Sequence, residues 1–419
     1  MLDIKFIREN PDLIKEAVRR KRSSFDVDAL IKADDERRSA LKDFEDAKAM
    51  QNKVSDEIAQ ISDPEEKQKK IAEMKEYKAG VEEKEAKVKE VMTIWQRLML
   101  QVPNVPDISV PEGESDEDNQ EVKVVGTKPE FDFEPLDHIT ILEKNDWADF
   151  ERGSKVAGFR GYFLKGAMVE LSFAIFQSFL NDLIAKGYTP MMVPSLVKKE
   201  LLMGTGYIPG GEEDLYQTQD GDYLAGTGEV AGMGYYMDEV LPKEKVPTKF
   251  AAFSTCFRRE AGSHGKDVKG LIRVHEFFKL EQIILCEASH EESVKYHEEV
   301  TKNAEEFVQS LGLYYHVVAN CGADLGLGQV KKYDIEVWMP SQQKFRETHS
   351  ASYFHDFQTR RLNIRYREDE GSMRFAHSIN NTAVATPRFL ATIIEQYQTK
   401  DGRVRVPEKL KPFIGREFL

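Results

Sequence analysis

The sequence predicts an α+β chain in which an N-terminal antiparallel α-helical coiled-coil arm precedes a domain built on an antiparallel β-sheet. Three observations predict it. Two consecutive charged segments carry apolar residues at 3-4 spacing on either side of a short turn. A proline-rich acidic stretch then stops the helical pattern. Beyond it, short runs rich in Val, Ile, Phe and Tyr alternate apolar with polar residues, as half-buried antiparallel strands do.

From Val27 to Ile61 the first segment contains neither Gly nor Pro. Its seam runs through Val27, Leu30, Leu41, Phe44, Val54, Ile58 and Ile61, interrupted by Asp34, Arg37 and Gln51. The turn Ser62-Asp63-Pro64-Glu65 places proline at the start of a new helix. The second seam follows at Ile71, Met74, Val81, Val88, Met92, Trp95, Met99 and Val102. Each helix is expected to span about 35 residues, or roughly 50 Å. On pattern alone the hairpin suits a structural or dimerisation element as well as a lever toward a large partner. The cluster Arg19-Arg20-Lys21-Arg22 adds positive charge near its base.

Pro103, Pro106 and Pro111, with the acidic run Glu112–Asp118, form the break. The expected division is a helical domain at 1–105, a linker at 106–120 and the sheet domain at 121–419. Within the last, Phe250–Phe257, Phe277–Cys286 and Tyr333–Met339 read as strands and Met168–Lys186 as an amphipathic helix. The close, Gly-bearing connections between strands do not suit βαβ crossovers.

The chain has 419 residues, 41% hydrophobic and 32% charged, with a formal net charge of −14. That balance favours solubility and argues mildly against nucleic-acid binding, although a local Lys/Arg cluster suffices for phosphate contact. Three cysteines with no CxxC pair predict neither zinc nor a disulfide framework. A charged N-terminus, and apolar runs short of the roughly 20 residues of a membrane span, predict a cytoplasmic chain with no membrane partner.

Four segments carry chemistry. Ser254–Ile283 reads as strand, polar loop, strand, and gathers Arg258, Arg259, Lys266, Lys269 and Arg273 beside Glu260 and Asp267. Arginine facing a cleft calls for an anion, and its fork matches two phosphate oxygens. In the second segment Glu347 and Ser350 offer a carboxylate and a hydroxyl that suit one Mg²⁺, an ion preferring oxygen ligands. Third, Ser378–Arg388 reads as a polar turn of two Asn and a Thr. It leads into a helix over Phe389–Gln398 with Arg388 at its start, where the macrodipole opposes a cation and an external anion or aromatic partner is expected. Fourth, in Gly226-Thr227-Gly228-Glu229, Thr and Glu two apart on a strand share a face and can accept hydrogen bonds from an ammonium.

In this order these segments resemble class II aminoacyl-tRNA synthetases, and the bacterial-type seryl-tRNA synthetase family in particular. The resemblance spans nearly the whole chain, from MLDIKFIRENPDLIKEAVRRK to DGRVRVPEKLKPFIG. Motif 1 is matched by Gly187–Pro194, motif 2 by Phe257–Glu260 through Arg273–Phe277, and motif 3 by the run ending in Arg388. FRETHSAS and DFQTRR add specific matches.

The resemblance implies a catalytic domain of the class II synthetase fold. It implies ATP-dependent activation of serine and transfer of the seryl group to the 3′ end of tRNA(Ser), and also of tRNA(Sec). It implies that Arg258 and Arg388 are catalytic. ATP would meet Arg258, Glu260, Arg273, Val274, Phe277, Glu347 and Arg388, with Phe277 under adenine and Arg388 over it. Serine would meet Thr227, Glu229, Arg258, Glu281, Ser350, Asn380 and Thr382. Glu347 and Ser350 would hold Mg²⁺, and Pro194 would mark a homodimer interface. His275 is expected to be structural. Two positions depart from the commonest family pattern: Gly228, expected to loosen its strand, and the motif 3 run NNTAVATPR, where Thr382 still supplies a hydroxyl.

Overall fold

The computed structural model describes residues 1–262, 265, 267 and 269–419, which cluster into two compact units. One comprises Leu2–Arg19 and Ser23–Pro103; the other comprises Asn104–Leu419 with Met1 and Arg20–Arg22.

The first unit is helical. Short helices α1 (Ile4–Glu9) and α2 (Pro11–Arg20) precede the long α3 (Val27–Gln60) and α4 (Pro64–Gln101). Asp26 caps α3, and Asp63 caps α4 with Pro64 in its first turn, as the turn signal predicts. Val27, Leu30, Val54, Val81, Val91 and Met99 are buried along the seam. Ile71 is not; it stays 45% exposed, because the seam narrows toward the hairpin tip and charged neighbours cover little there. Asp34 is tolerated in the seam because Arg8 and Arg37 clamp its two oxygens at 3.1 and 2.7 Å. Arg37 also lies over Trp95, 4.6 Å from the ring centroid.

The second unit is built on eight strands: β1 (Gln120–Val125), β2 (Thr189–Met192), β3 (Thr248–Phe257), β4 (Glu276–Cys286), β5 (Tyr315–Ala319), β6 (Lys331–Met339), β7 (Lys344–His355) and β8 (His377–Ala385). Their order is β1-β5-β6-β7-β8-β4-β3-β2. Every neighbouring pair is antiparallel except β2 with β3 at one edge, which is parallel. Three helices cover one face: α5 (Ala167–Ala185), α7 (His290–Ser310) and α9 (Arg388–Gln396), with α6 (Gly228–Gly234) and α8 (Phe357–Arg361) between them in the chain. Phe179 stacks on Phe307 at 4.2 Å, and Phe307 meets Phe389 at 6.5 Å. Leu280, Ile284, Ile379 and Val384 supply the sheet side of this core.

Two expectations are corrected here. Ser378–Ala385 is not a polar turn but most of the central strand β8. Asn381 is buried there because it accepts from Gln282 at 2.7 Å and donates to the Ser350 carbonyl at 3.1 Å. Helix α5 is, at 19 residues, long and apolar enough by composition to cross a membrane. Its apolar side is nonetheless spent on the core, where Met168, Leu171, Ile175, Phe179 and Leu183 are buried. Just after Pro103, Asn104 donates to the carbonyls of Gly328 and Phe354 at 3.0 and 2.8 Å.

The cluster at 19–22 is likewise occupied internally. Lys21 is buried and donates to three carbonyls, of Gly326, Leu327 and Gln329, at 2.6–3.0 Å. Arg20 donates to the carbonyls of Asp107 and Val110, and Arg22 pairs with Glu114.

Candidate active site

The sheet face away from α5, α7 and α9 carries the polar residues. Strand alternation puts Phe277, Lys279 and Glu281 of β4 on this face, while Leu280 and Ile284 point into the core. Two register irregularities shape it further. Between β6 and β7 the pairing steps from Ile335↔His349 to Glu336↔Glu347, so Thr348 is an extra residue. Residues three apart on a regular strand face opposite ways; this bulge returns Glu347 and Ser350 to the same side. Between β4 and β8 the pairing steps from Leu280↔Val384 to Glu281↔Thr382, which sets Thr382 opposite Glu281.

One cleft of about 540 Å³ is lined by Arg258, Glu260, Arg273, Val274, Phe277, Glu347, Thr382 and Arg388, together with Lys279. Two separate segments therefore converge on it. Arg258 follows the end of β3, held by its Nε donating to the Gly226 carbonyl at 3.2 Å, with its guanidinium 5.5 Å from the Phe277 ring. His275 supports the same backbone: its Nδ1 lies 2.9 Å from the Arg258 carbonyl, with Tyr216 on it at 3.0 Å. Arg388 opens α9 and donates to the carbonyls of Ile272 and Glu347 at 3.2 and 2.7 Å, with the Glu347 carboxylate 3.5 Å away. Those partners, with an open cleft beyond, offset the unfavourable helix start. Glu260 sits in the left-handed region at φ 54° and pairs with Arg273 at 3.0 Å. Lys269 and Gly270 border a neighbouring cavity, and Lys266, expected in the cationic loop, lies outside the described residues.

Burial pushes the Glu347 carboxyl up, but Arg388, Lys332 and Arg258 outweigh it and hold it below the usual carboxylate range. It is therefore an anion at neutral pH, and its side chain is about half exposed. Glu347 and Ser350 form an all-oxygen pair that fits a hard cation. Among the described residues no three His, Cys, Asp or Glu side chains converge as a metal cage.

Adjoining the cleft, Lys279 bridges Glu281 at 2.6 Å and Thr382 at 3.2 Å, and Thr227 donates to Glu281 at 3.2 Å. All four are buried. Thr227 and Glu229 do not lie on a strand, contrary to expectation. Thr227 is the N-cap of α6, its hydroxyl accepting from the Glu229 amide, because Thr followed by Gly and Glu favours a capped helix start. Gly228 loosens nothing; it lets the helix approach β3, where a Cβ would stand 3.0 Å from the Ser254 hydroxyl. Asn380 lies two residues before Thr382 on β8, and Ser350 pairs across the sheet with Asp334. Three residues were not anticipated: Lys279, Tyr207 and Gln358. A lysine in phase with Phe277 and Glu281 within an apolar strand was the available signal for the first; Gln358 lies in the DFQTRR match, which carried no role for it, and nothing local marked Tyr207.

Comparison with known proteins places the chain. Residues 1–106 match the model of the seryl-tRNA synthetase N-terminal domain, and residues 215–397 match the class II tRNA synthetase core domain (G, H, P, S and T). The chain is 44% identical to a serine–tRNA ligase of Deinococcus radiodurans, covering 100% of this chain and 99% of that one. It is 42% identical to one of Thermodesulfovibrio yellowstonii, with full coverage of both. Among solved structures, seryl-tRNA synthetase from Pyrococcus horikoshii complexed with ATP matches at TM-score 0.89 and 36% identity, covering 100% and 99% of the two chains. The cytoplasmic serine–tRNA ligase of Naegleria fowleri in complex with AMP matches at TM-score 0.86 and 33% identity, covering 100% and 98%.

Proposed function

The chain belongs to the seryl-tRNA synthetase family of class II synthetases, and from that premise we propose that it activates serine with ATP and transfers it to tRNA(Ser) at this cleft. The observation that carries the reading is the convergence of Arg258 and Arg388, from distant segments, on one cleft beside the buried Thr227–Lys279–Glu281–Thr382 group.

The serine carboxylate attacks the α-phosphorus of ATP in line, giving seryl-adenylate and pyrophosphate. Such a displacement needs positioning and charge neutralisation more than a covalent nucleophile. Arg258 holds the α-phosphate and the amino-acid carboxylate. Adenine lies between Phe277 and Arg388, with Val274 and Glu260 beside it, and Arg273 reaches further phosphate oxygens. Glu347 and Ser350 would hold Mg²⁺, which would supply Lewis-acid neutralisation of phosphate charge there. Glu281 and Thr382 recognise the serine hydroxyl, with Asn380 alongside, while Thr227 and Glu229 recognise the ammonium group. Lys279 fixes the Glu281 carboxylate. A pocket committed to a hydroxyl rejects analogues lacking it by as much as ~10⁴–10⁵-fold. The 3′-terminal hydroxyl of tRNA then attacks the adenylate carbonyl, loses its proton and forms the seryl ester as the bond to phosphate breaks and AMP leaves.

The helical region 1–105 grips tRNA by backbone and shape, residues 106–120 connect it, and 121–419 carry the chemistry. tRNA(Sec) is a second acceptor, and the protein works in the cytoplasm. A homodimer is supported by the exposed apolar residues around motif 1. Met192 is 88% and Phe173 68% exposed, and Phe278 lies open beside Phe253, 6.0 Å from its ring. ATP–pyrophosphate exchange measured across the twenty amino acids tests the reading. Exchange should depend on serine alone, and exchange driven by another amino acid would overturn it.

A further inference from the structure

Glu229 is buried, and each of its oxygens has one donor. The Tyr207 hydroxyl donates to Oε2 at 3.0 Å, and the Gln358 amide donates to Oε1 at 2.6 Å. The Gln358 donor is not free to turn away. The same Gln358 nitrogen also donates to the Thr205 carbonyl at 3.2 Å, and a carbonyl can only accept, which fixes the amide orientation. The Gln358 oxygen accepts from Ser378 at 2.8 Å. Tyr207 follows a short helix ending at Thr205, and Gln358 lies on α8 (Phe357–Arg361), so two elements outside the main sheet aim at one carboxylate. Structural burial alone does not call for an acid here, since buried acids are costly.

We propose that Tyr207 and Gln358 are positioning residues for substrate serine: with one donor on each oxygen, they hold the Glu229 carboxylate as the acceptor for the serine ammonium. The proposal rests on the assignment of Glu229 to the serine pocket. The charged groups facing Glu229 are Glu281 and Lys279 from β4, with Arg258 acting on Tyr207. Burial, then the Glu281 charge, push the Glu229 carboxyl up to about 7, while Gln358 and Tyr207 draw it down. Loss of either donor therefore favours the protonated carboxyl, which is a poor acceptor for an ammonium group.

The test uses the full chain with Tyr207→Phe, Gln358→Met and Glu229→Gln, reading KM for serine, KM for ATP and kcat in pyrophosphate exchange from pH 6 to 9. Tyr207→Phe should raise the serine KM roughly 10-fold at pH 7, the worth of a hydrogen bond to a charged group. The ATP KM should hold, and the serine deficit should shrink as pH rises. Gln358→Met should move the same way; if it does not fold, Tyr207→Phe decides. Should both leave serine KM within about twofold at every pH while Glu229→Gln raises it, the positioning role is overturned and the pocket stands. An unchanged serine KM in Glu229→Gln would overturn the pocket assignment itself, and the positioning role with it.

Discussion

Lys279 and Glu281, two residues apart on the same face of β4, form a buried ion pair at 2.6 Å, and Thr382 completes it from the adjacent strand at 3.2 Å. Removing one member of such a pair strands the other charge. Lys279→Met should therefore destabilise the protein by ~3–5 kcal/mol. The double variant Lys279→Met/Glu281→Leu should recover much of that stability, because neither charge is then buried alone. It should not recover serine-dependent exchange. Denaturant midpoints and exchange rates measured on the three proteins check both halves.

Among the described residues Arg388 bonds to two backbone carbonyls and pairs with the half-exposed Glu347, so its removal is a small loss to the fold. Arg388→Met should change stability by less than about 2 kcal/mol. It should lower kcat/KM for ATP by about 10²-fold or more, the cost of one preorganised donor at a developing charge. Steady-state exchange with a parallel thermal melt separates the two effects.

Excising Val27–Val102 and closing the gap with a short linker should spare adenylate formation, because every residue assigned to the chemistry lies beyond Asn104. Charging of tRNA(Ser) should be lost. Aminoacylation and pyrophosphate exchange run side by side read this directly, and retained charging would assign the helical hairpin a purely structural role.

Four histidines, His297 and His349 buried and His355 and His377 half-buried, predict acid sensitivity. Burial pushes His297, His355 and His377 down to about 4 and His349 to about 3. The unfolded chain titrates these groups near 6.5, so between about pH 6.5 and 4 it binds more protons than the native state. Stability from this source is complete above about pH 6.5 and declines as pH falls toward 4. Melting temperature should drop across that window, with proton uptake on unfolding. His297→Gln should flatten the slope by up to ~1.4 kcal/mol per pH unit.

The helical hairpin was legible because a 3-4 seam and an Asp-Pro turn are local signals. The seam's Asp34 was not, because its partners Arg8 and Arg37 meet it only in the fold. The strand carrying Phe277 and Glu281 followed from alternation; the strand Lys344–His355, which carries Glu347, did not, because its run of Lys, Arg, Glu, Thr, His and Ser reads as polar loop. The two bulges that bring Glu347 beside Ser350 and Thr382 beside Glu281 did not, since an extra residue in a strand leaves no compositional mark. Ser378–Ala385 looked like a turn because its two asparagines and a threonine are turn formers; cross-sheet amide bonds outweigh that propensity. Thr227 looked like a strand residue because four residues cannot distinguish period two from a helix cap.

The central claim is that one cleft, built by Arg258 and Arg388, and the polar pocket of Glu281 bind a single serine–nucleotide conjugate. Titration calorimetry with a non-hydrolysable seryl-adenylate analogue tests it most directly. One site per chain is expected, with affinity weakened at least ~10-fold by each of Arg258→Met, Arg388→Met and Glu281→Gln. Undiminished binding by Arg258→Met and Arg388→Met, in folded protein, would contradict it.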